Sequence, residues 1–198
     1  AFFSVFIVIA LYYNQNQFVE AFEAKSYDLR FKSLRGAVAP NPEIGIVAID
    51  NKSIAELGRF PWSRGQYVRL LERLSAAGAK VVLFDMFFSE QENRAIDHAL
   101  ALALKKAGNV GLAVAYDFDK DFNVVGGLHT LPEIENNASG LGHINLAPED
   151  DGVVRRNMLF IEAAGKKMPS LGLKAAMMAL GEQEFVAGAY GIKLGKRV

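Results

Sequence analysis

The run from Ile44 to Ser89 constrains this chain more than any other stretch. It reads IGIVAIDNKSIAELGRFPWSRGQYVRLLERLSAAGAKVVLFDMFFS. Two apolar segments, Ile44 to Ile49 and Lys80 to Phe84, each end in an aspartate, Asp50 and Asp85. Unbroken apolar runs of this length mark strands covered on both faces, as parallel sheets require. Between them lies a helix with a well-marked start. Ser63 stands at its N-cap and Gln66 at the third helical position, the spacing of a capping box, while Trp62 and Tyr67 occupy the positions of a hydrophobic staple. Tyr67, Leu70, Leu71, Leu74 and Ala77 share one helical face, and Gly78 stands where a left-handed residue can end the helix. The expectation is a strand–helix–strand unit within an α/β fold. Its sheet is mixed and partly parallel, with helices on both faces.

Composition narrows the function classes. The 198 residues suit one domain with appendages, and 51% of them are hydrophobic, enough for a sizeable core. Lys plus Arg and Asp plus Glu both number 22, so the net charge is zero and no electrostatic ground exists for a nucleic-acid partner. The absence of cysteine excludes disulfides, thiolate metal sites and cysteine nucleophiles.

The first segment, AFFSVFIVIALYY, is shorter than the roughly 20 apolar residues a bilayer span needs. It lacks the basic start and small-residue cleavage site of a signal peptide. It reads as the outer part (1–13) of a truncated transmembrane helix, and equally, on residues alone, as a buried helix of a soluble protein. Tyr12 and Tyr13 suit the aromatic belt of a membrane interface. A long juxtamembrane helix is expected over 14–36. Phe18, Phe22 and Leu29 lie near one stripe of it and Tyr27, Phe31 and Leu34 near another, as if its own domain and a partner copy covered different sides; ordinary packing on its own sheet is the simpler reading of each residue taken singly. Lys25, Arg30, Lys32 and Arg35 follow the apolar segment, which by the positive-inside rule opposes export. The loop from Gly36 to Pro42, with two prolines, is the expected boundary of a sensor domain over 37–181; a tail without clear period follows over 182–198.

Further along, a helix is expected over Arg94 to Ala107, closed by Gly108, and strands over Val110 to Tyr116, His143 to Leu146 and Val153 to Glu162. Asp117 to Gly127 is turn-rich and can form a hairpin, and Glu133 to Ala138 reads as a short helix. Pro169 suits the first turn of a last helix reaching Leu180.

Chemistry concentrates at the strand ends. Ligands of open α/β sheets bind beyond the carboxyl ends of strands, where Asp50 and Asp85 can take a divalent cation or a cationic or hydroxyl-rich ligand. They can equally cap a helix and bond nearby backbone. Trp62 offers a stacking face and Arg64 a fork for an anion; Arg64 can instead pair with Asp50 or Asp85 and lock the strand ends together, which is the preferred reading. Asp97 sits near a helix start, where the dipole favours a carboxylate. His143 reads more simply as a buried, hydrogen-bonded core histidine than as a ligand. Arg155 and Arg156 point to opposite faces if extended, so at most one meets a given pocket. No catalytic motif, metal-ligand spacing or cofactor fingerprint is present. A metal-dependent hydrolase using Asp50 and Asp85 remains a weaker alternative.

The stretch AIDNKSIAELGRFPWSRGQYVRLLERLSAAGAKVVLFDMFFSE, with the later GLGHINLAPEDDGVVRR, resembles the CHASE type-2 domain. The marks of the resemblance are Asp50 followed by Ser53, the turn from Gly58 to Arg64, and the strand from Gly78 to Val82 leading to Asp85; Asp97 also matches a family aspartate. It covers most of Tyr27 to Leu180. It implies an extracytoplasmic (periplasmic or extracellular) sensor of a membrane receptor, a homodimer responding to an unknown small-molecule or environmental ligand. It also implies a cytoplasmic output such as a nucleotide cyclase, a diguanylate cyclase or phosphodiesterase, or a kinase. The rim residues Asp50, Ser53, Trp62, Arg64, Asp85 and His143 are its candidate ligand contacts. A structural dimerisation module without a small-molecule ligand is the alternative.

Overall fold

The computed structural model describes residues 17–36, 38–188 and 191–195. The chain divides into two compact units, residues 1–51 and 52–198. The expected transmembrane segment 1–13 and the Phe18 side chain lie outside the described residues.

In the first unit, helix α1 (Gln17–Arg30) continues into a π-helical turn at Phe31–Arg35. Glu20 in its first turn and Arg30 in its last both complement the helix dipole. Tyr27 stacks on Phe31 at 6.0 Å, and the Arg35 guanidinium lies 5.0 Å over the same ring. Phe22 and Leu29 stay 69% and 68% exposed.

The strand expected over Ile44 to Ile49 does not form. The segment joins no ladder, and Ile44, Ile46, Val47 and Ile49 are exposed. An apolar run records a tendency to be buried, but a strand exists only where a neighbour meets its backbone groups. The expected strand–helix–strand unit therefore keeps its helix and its second strand only.

The second unit carries the core. After α2 (Asn51–Leu57), closed by Gly58 at φ +90°, helix α3 (Arg64–Ala76) leads to β1 (Val82–Phe84). Helix α4 (Arg94–Ala107) starts on Asn93, whose side chain accepts from the Ala95 N–H, and ends on left-handed Gly108. Its bounds are those the apolar period and terminal residues indicate. Strand β2 (Val110–Phe118) is the centre of the sheet. It pairs in parallel with β1, Val82 opposite Val110, and with β4 (Gly140–His143), Val114 opposite His143. Its far half turns back antiparallel into β3 (Val124–Leu128), the hairpin expected there. Asp119 closes that turn, its carboxylate accepting from the Asp121 and Asn123 N–H groups.

Alternation along β2 sends Leu112 into the main core with Tyr67, Leu71, Leu100 and Leu104, whereas Gly111 faces Met178 of α6 (Leu171–Leu180). Helices thus cover both faces of a mixed, partly parallel sheet, as expected. Close contact with α6 requires glycine: a Cβ on Gly142 would lie 2.5 Å from the Leu171 Cα.

Several bounds shift. The short helix α5 occupies Pro132–Glu135. The expected strand His143 to Leu146 forms instead as β4, because Ser139 and Ile144 N–H groups donate to β2 carbonyls at either end of Gly140–His143. Beyond it, the Asn145 side-chain amide both donates to the Tyr116 carbonyl and accepts from its N–H, at 2.7 and 2.9 Å, extending the pairing without backbone. The strand expected over Val153 to Glu162 shortens to β5 (Phe160–Ala163), paired with β6 (Lys166–Pro169). Pro169 therefore ends a strand rather than opening α6, whose cap is the Ser170 hydroxyl accepting from the Leu173 N–H. The tail holds a third hairpin, β7 (Phe185–Gly188) and β8 (Gly191–Leu194), which no period announced.

Candidate functional site

The turn Gly58–Arg64 and the start of α3 build a dense polar cluster. The turn contains a cis Phe60–Pro61 peptide, and the Trp62 indole N–H donates to the Gly58 carbonyl at 2.8 Å. Trp62 packs edge-on against Phe60, while Tyr67 meets Phe84 and Phe88 at 6.0 and 5.2 Å. The ring contacts of Trp62 and Tyr67 are thus to different partners, Phe60 for the one and Phe84 and Phe88 for the other. Ser63 is the N-cap, as expected, but its hydroxyl accepts from the Gly65 N–H, while the Gln66 N–H bonds the Ser63 carbonyl.

Arg64 is the centre of the cluster. As the first helical residue it sends its own N–H to the Glu92 carboxylate at 2.8 Å, so Glu92 neutralises one of the donors that a helix start leaves free. Its guanidinium pairs with the Asp97 carboxylate, donates to the Glu90 carbonyl and lies 5.7 Å over the Phe88 ring. Both side chains of the ion pair are buried, at 7% and 3% exposure. One Asp97 oxygen, Oδ2, has no hydrogen-bond partner among the described residues. The Tyr67 phenol, beside this cluster, is pushed up by burial and by the Glu92 charge.

The preferred pairing of Arg64 with Asp50 or Asp85 is thus replaced by Asp97. Arg64 is drawn inward because the segment 88–97 wraps the start of α3 and offers a carboxylate, a carbonyl and a ring together. Asp85 directly follows β1 but is exposed and makes no side-chain bond among the described residues. Asp50 immediately precedes α2, and Ser53 lies within it. Asp50 belongs to the first unit and Asp85 to the second.

His143 is buried at the carboxyl end of β4, 1% exposed, on the face of Leu112 and Val114. Among the described residues neither ring nitrogen finds a partner, which departs from the hydrogen-bonded histidine expected. Burial pulls its pKa below the ordinary 6.5. Among the described residues no three carboxylates or histidines gather as a metal site.

Sequence reasoning undervalued one clasp. The Arg155 side chain, 7% exposed, bonds Glu149 at 2.8 Å and Asp151 at 2.6 Å, while Arg156 is 91% exposed. The two arginines differ in burial but not in partner: Arg156 Nε also lies 3.8 Å from Glu149, and the backbone here is not a strand, so the expected opposition of faces does not apply. The Asp151 carboxyl is lowered to about 2, mainly by its hydrogen bond from Arg155. The signal was present in the acidic turn Glu149–Asp151 four residues ahead of an arginine.

No curated protein and no solved structure matches the chain. Among the described residues no helix is long and apolar enough to cross a membrane. The family model of the CHASE2 domain matches residues 3–197. That match runs through the Gly58–Arg64 turn, the Arg64–Asp97 pair and the acidic clasp of Arg155, and the chain belongs to the CHASE2 domain family, the extracellular sensory domains of signalling receptors.

Proposed function

We propose that this domain senses from the extracytoplasmic side of a membrane receptor and works as a homodimer through α1. A change in ligand occupancy or dimer packing shifts α1, and the receptor's membrane helices carry the shift to a cytoplasmic cyclase, diguanylate cyclase, phosphodiesterase or kinase. A ligand drives such a switch only if it favours one of two conformations. The observation that carries the reading is the exposed apolar pair Phe22 and Leu29, seven residues apart on α1 and thus on one stripe. Exposed apolar area of this kind is covered in dimers of helices. Asp50 in the first unit, and Ser53 and Asp85 in the second, are each proposed ligand contacts, with Trp62, Arg64 and His143 supporting the rim of the second unit.

The chain has no cysteine, so Phe22→Cys introduces a single reporter. Disulfide-linked dimers in oxidised membranes are the expected result. Their absence at both Phe22→Cys and Leu29→Cys removes the dimer. Sidedness is read separately with Phe122→Cys, at a loop tip 80% exposed. Labelling by a membrane-impermeant maleimide in intact cells supports the extracytoplasmic placement, and labelling only after lysis overturns it.

A further inference from the structure

A cleft of about 490 Å³ opens between the β2–β3 hairpin and the turn joining β5 to β6. Its size is within the range of about 300 to 1,000 Å³ usual for small-molecule sites, which combine apolar walls with a few placed polar groups. One wall is aromatic: Tyr116 and His129 meet edge to face at 6.0 Å. Gly126 and Gly127 leave the β3 backbone bare beside them. A Cβ on Gly127 would lie 2.4 Å from the Ala115 carbonyl oxygen, so the sheet itself imposes the bare surface. Ala163 and Met168 form the opposite wall, both small or pliable enough to admit a ring.

The polar groups are not matched among themselves. Glu135 binds His129 Nδ1 at 3.1 Å and so fixes the ring, leaving Nε2 without a partner among the described residues. Lys166, on the rim, makes no ion pair among the described residues. Asp117 lies across from Gly126 on β2, but alternation turns its side chain to the face opposite Tyr116. The cleft therefore presents a flat apolar slot, one free ammonium and one ring nitrogen whose neighbour is held by a carboxylate.

The geometry points to this cleft as a binding site for a small planar aromatic carboxylate. The ring lies against Tyr116, His129 and the bare glycine strand, and the carboxylate meets Lys166. A ring hydroxyl, where present, donates to His129 Nε2. This inference rests on the sensing role proposed above and adds to it a ligand class and a second place, distinct from the Arg64 rim.

The test uses the whole chain in detergent micelles, titrated with 4-hydroxybenzoate and, separately, with uncharged 4-hydroxybenzamide. Amide NMR signals of residues 124–129 and 163–168 are expected to move with the acid. The amide analogue and Lys166→Ala each weaken binding about three- to fivefold, the scale of one exposed charge contact. Lys166→Arg restores it, and Ala163→Phe, which fills the slot and leaves the charges in place, abolishes it. No movement at these signals into the millimolar range, or equal binding of acid and amide, overturns the site. Receptor output is measured in parallel. Binding here without any output change preserves the site and removes its sensing role. An output response to the acid that survives both Lys166→Ala and Ala163→Phe removes the site and preserves sensing.

Discussion

Arg64 and Asp97 form a buried ion pair that joins the first turn of α3 to the first turn of α4, 33 residues apart in the chain. Neither residue is in water, so each charge depends on the other. Removing one partner from such a pair costs about 3–5 kcal/mol, because the remaining charge stays buried and uncompensated. Arg64→Ala and Asp97→Ala are each expected to lose that much in urea unfolding, while Arg64→Met with Asp97→Leu together lose much less. Equal, additive losses in the double variant would show that the pair contributes through packing alone.

His143 gives the domain a dependence on pH. Its folded-state pKa is depressed by burial. The unfolded chain therefore takes up a proton near pH 6.5 while the folded chain does not. Stability is full above the unfolded value and declines as pH falls from about 6.5 toward the lower folded value. The melting temperature is expected to drop between pH 7.5 and 5.5, and His143→Leu to flatten that drop. Parallel curves for the two proteins would assign the dependence elsewhere.

The Arg155 clasp is visible in a titration. Asp151 is expected to titrate near 2 by carboxyl ¹³C NMR, since Arg155 holds it ionised. In Arg155→Ala its midpoint rises toward the ordinary 3.8. The stability that this shift confers is present above pH 3.8 and is lost as pH falls through 2. A midpoint unmoved by the substitution would mean that the backbone, not Arg155, sets it.

Two glycines of the sheet differ in what they can tolerate. A methyl group on Gly142 meets backbone atoms of Leu171 and Ser170, which cannot yield without moving α6. One on Gly111 meets the tip of the Leu83 side chain, which can rotate away. Gly142→Ala is expected to cost about 1–3 kcal/mol or more and Gly111→Ala distinctly less, by denaturant midpoint. The reverse order would show that α6 is free to shift.

The legible parts of this chain were those set by neighbours in sequence. Helix α4 was readable end to end, because its apolar face, the Asn93 cap and left-handed Gly108 act within one or two turns. Ser63 as N-cap and the β2–β3 hairpin were readable for the same reason, whereas the mixed sheet with helices on both faces was expected from the order of elements. The family's own marks, the Gly58–Arg64 turn above all, also lie close together in the chain and identified it.

What tertiary structure decided was partnership. Arg64 was recognised as a locking residue, but its partner came from a helix 33 residues on and not from the strand ends. Ile44 to Ile49 has the composition of a buried strand and finds no ladder, since pairing belongs to the neighbour as much as to the segment. The clasp around Arg155 and the cleft between two hairpins depend on which loops the sheet brings together. Sequence determined the elements and their ends through short-range hydrogen bonding and hydrophobic period. The fold alone determined which charges, rings and backbone edges meet, because those energies exist only once distant segments share the same space.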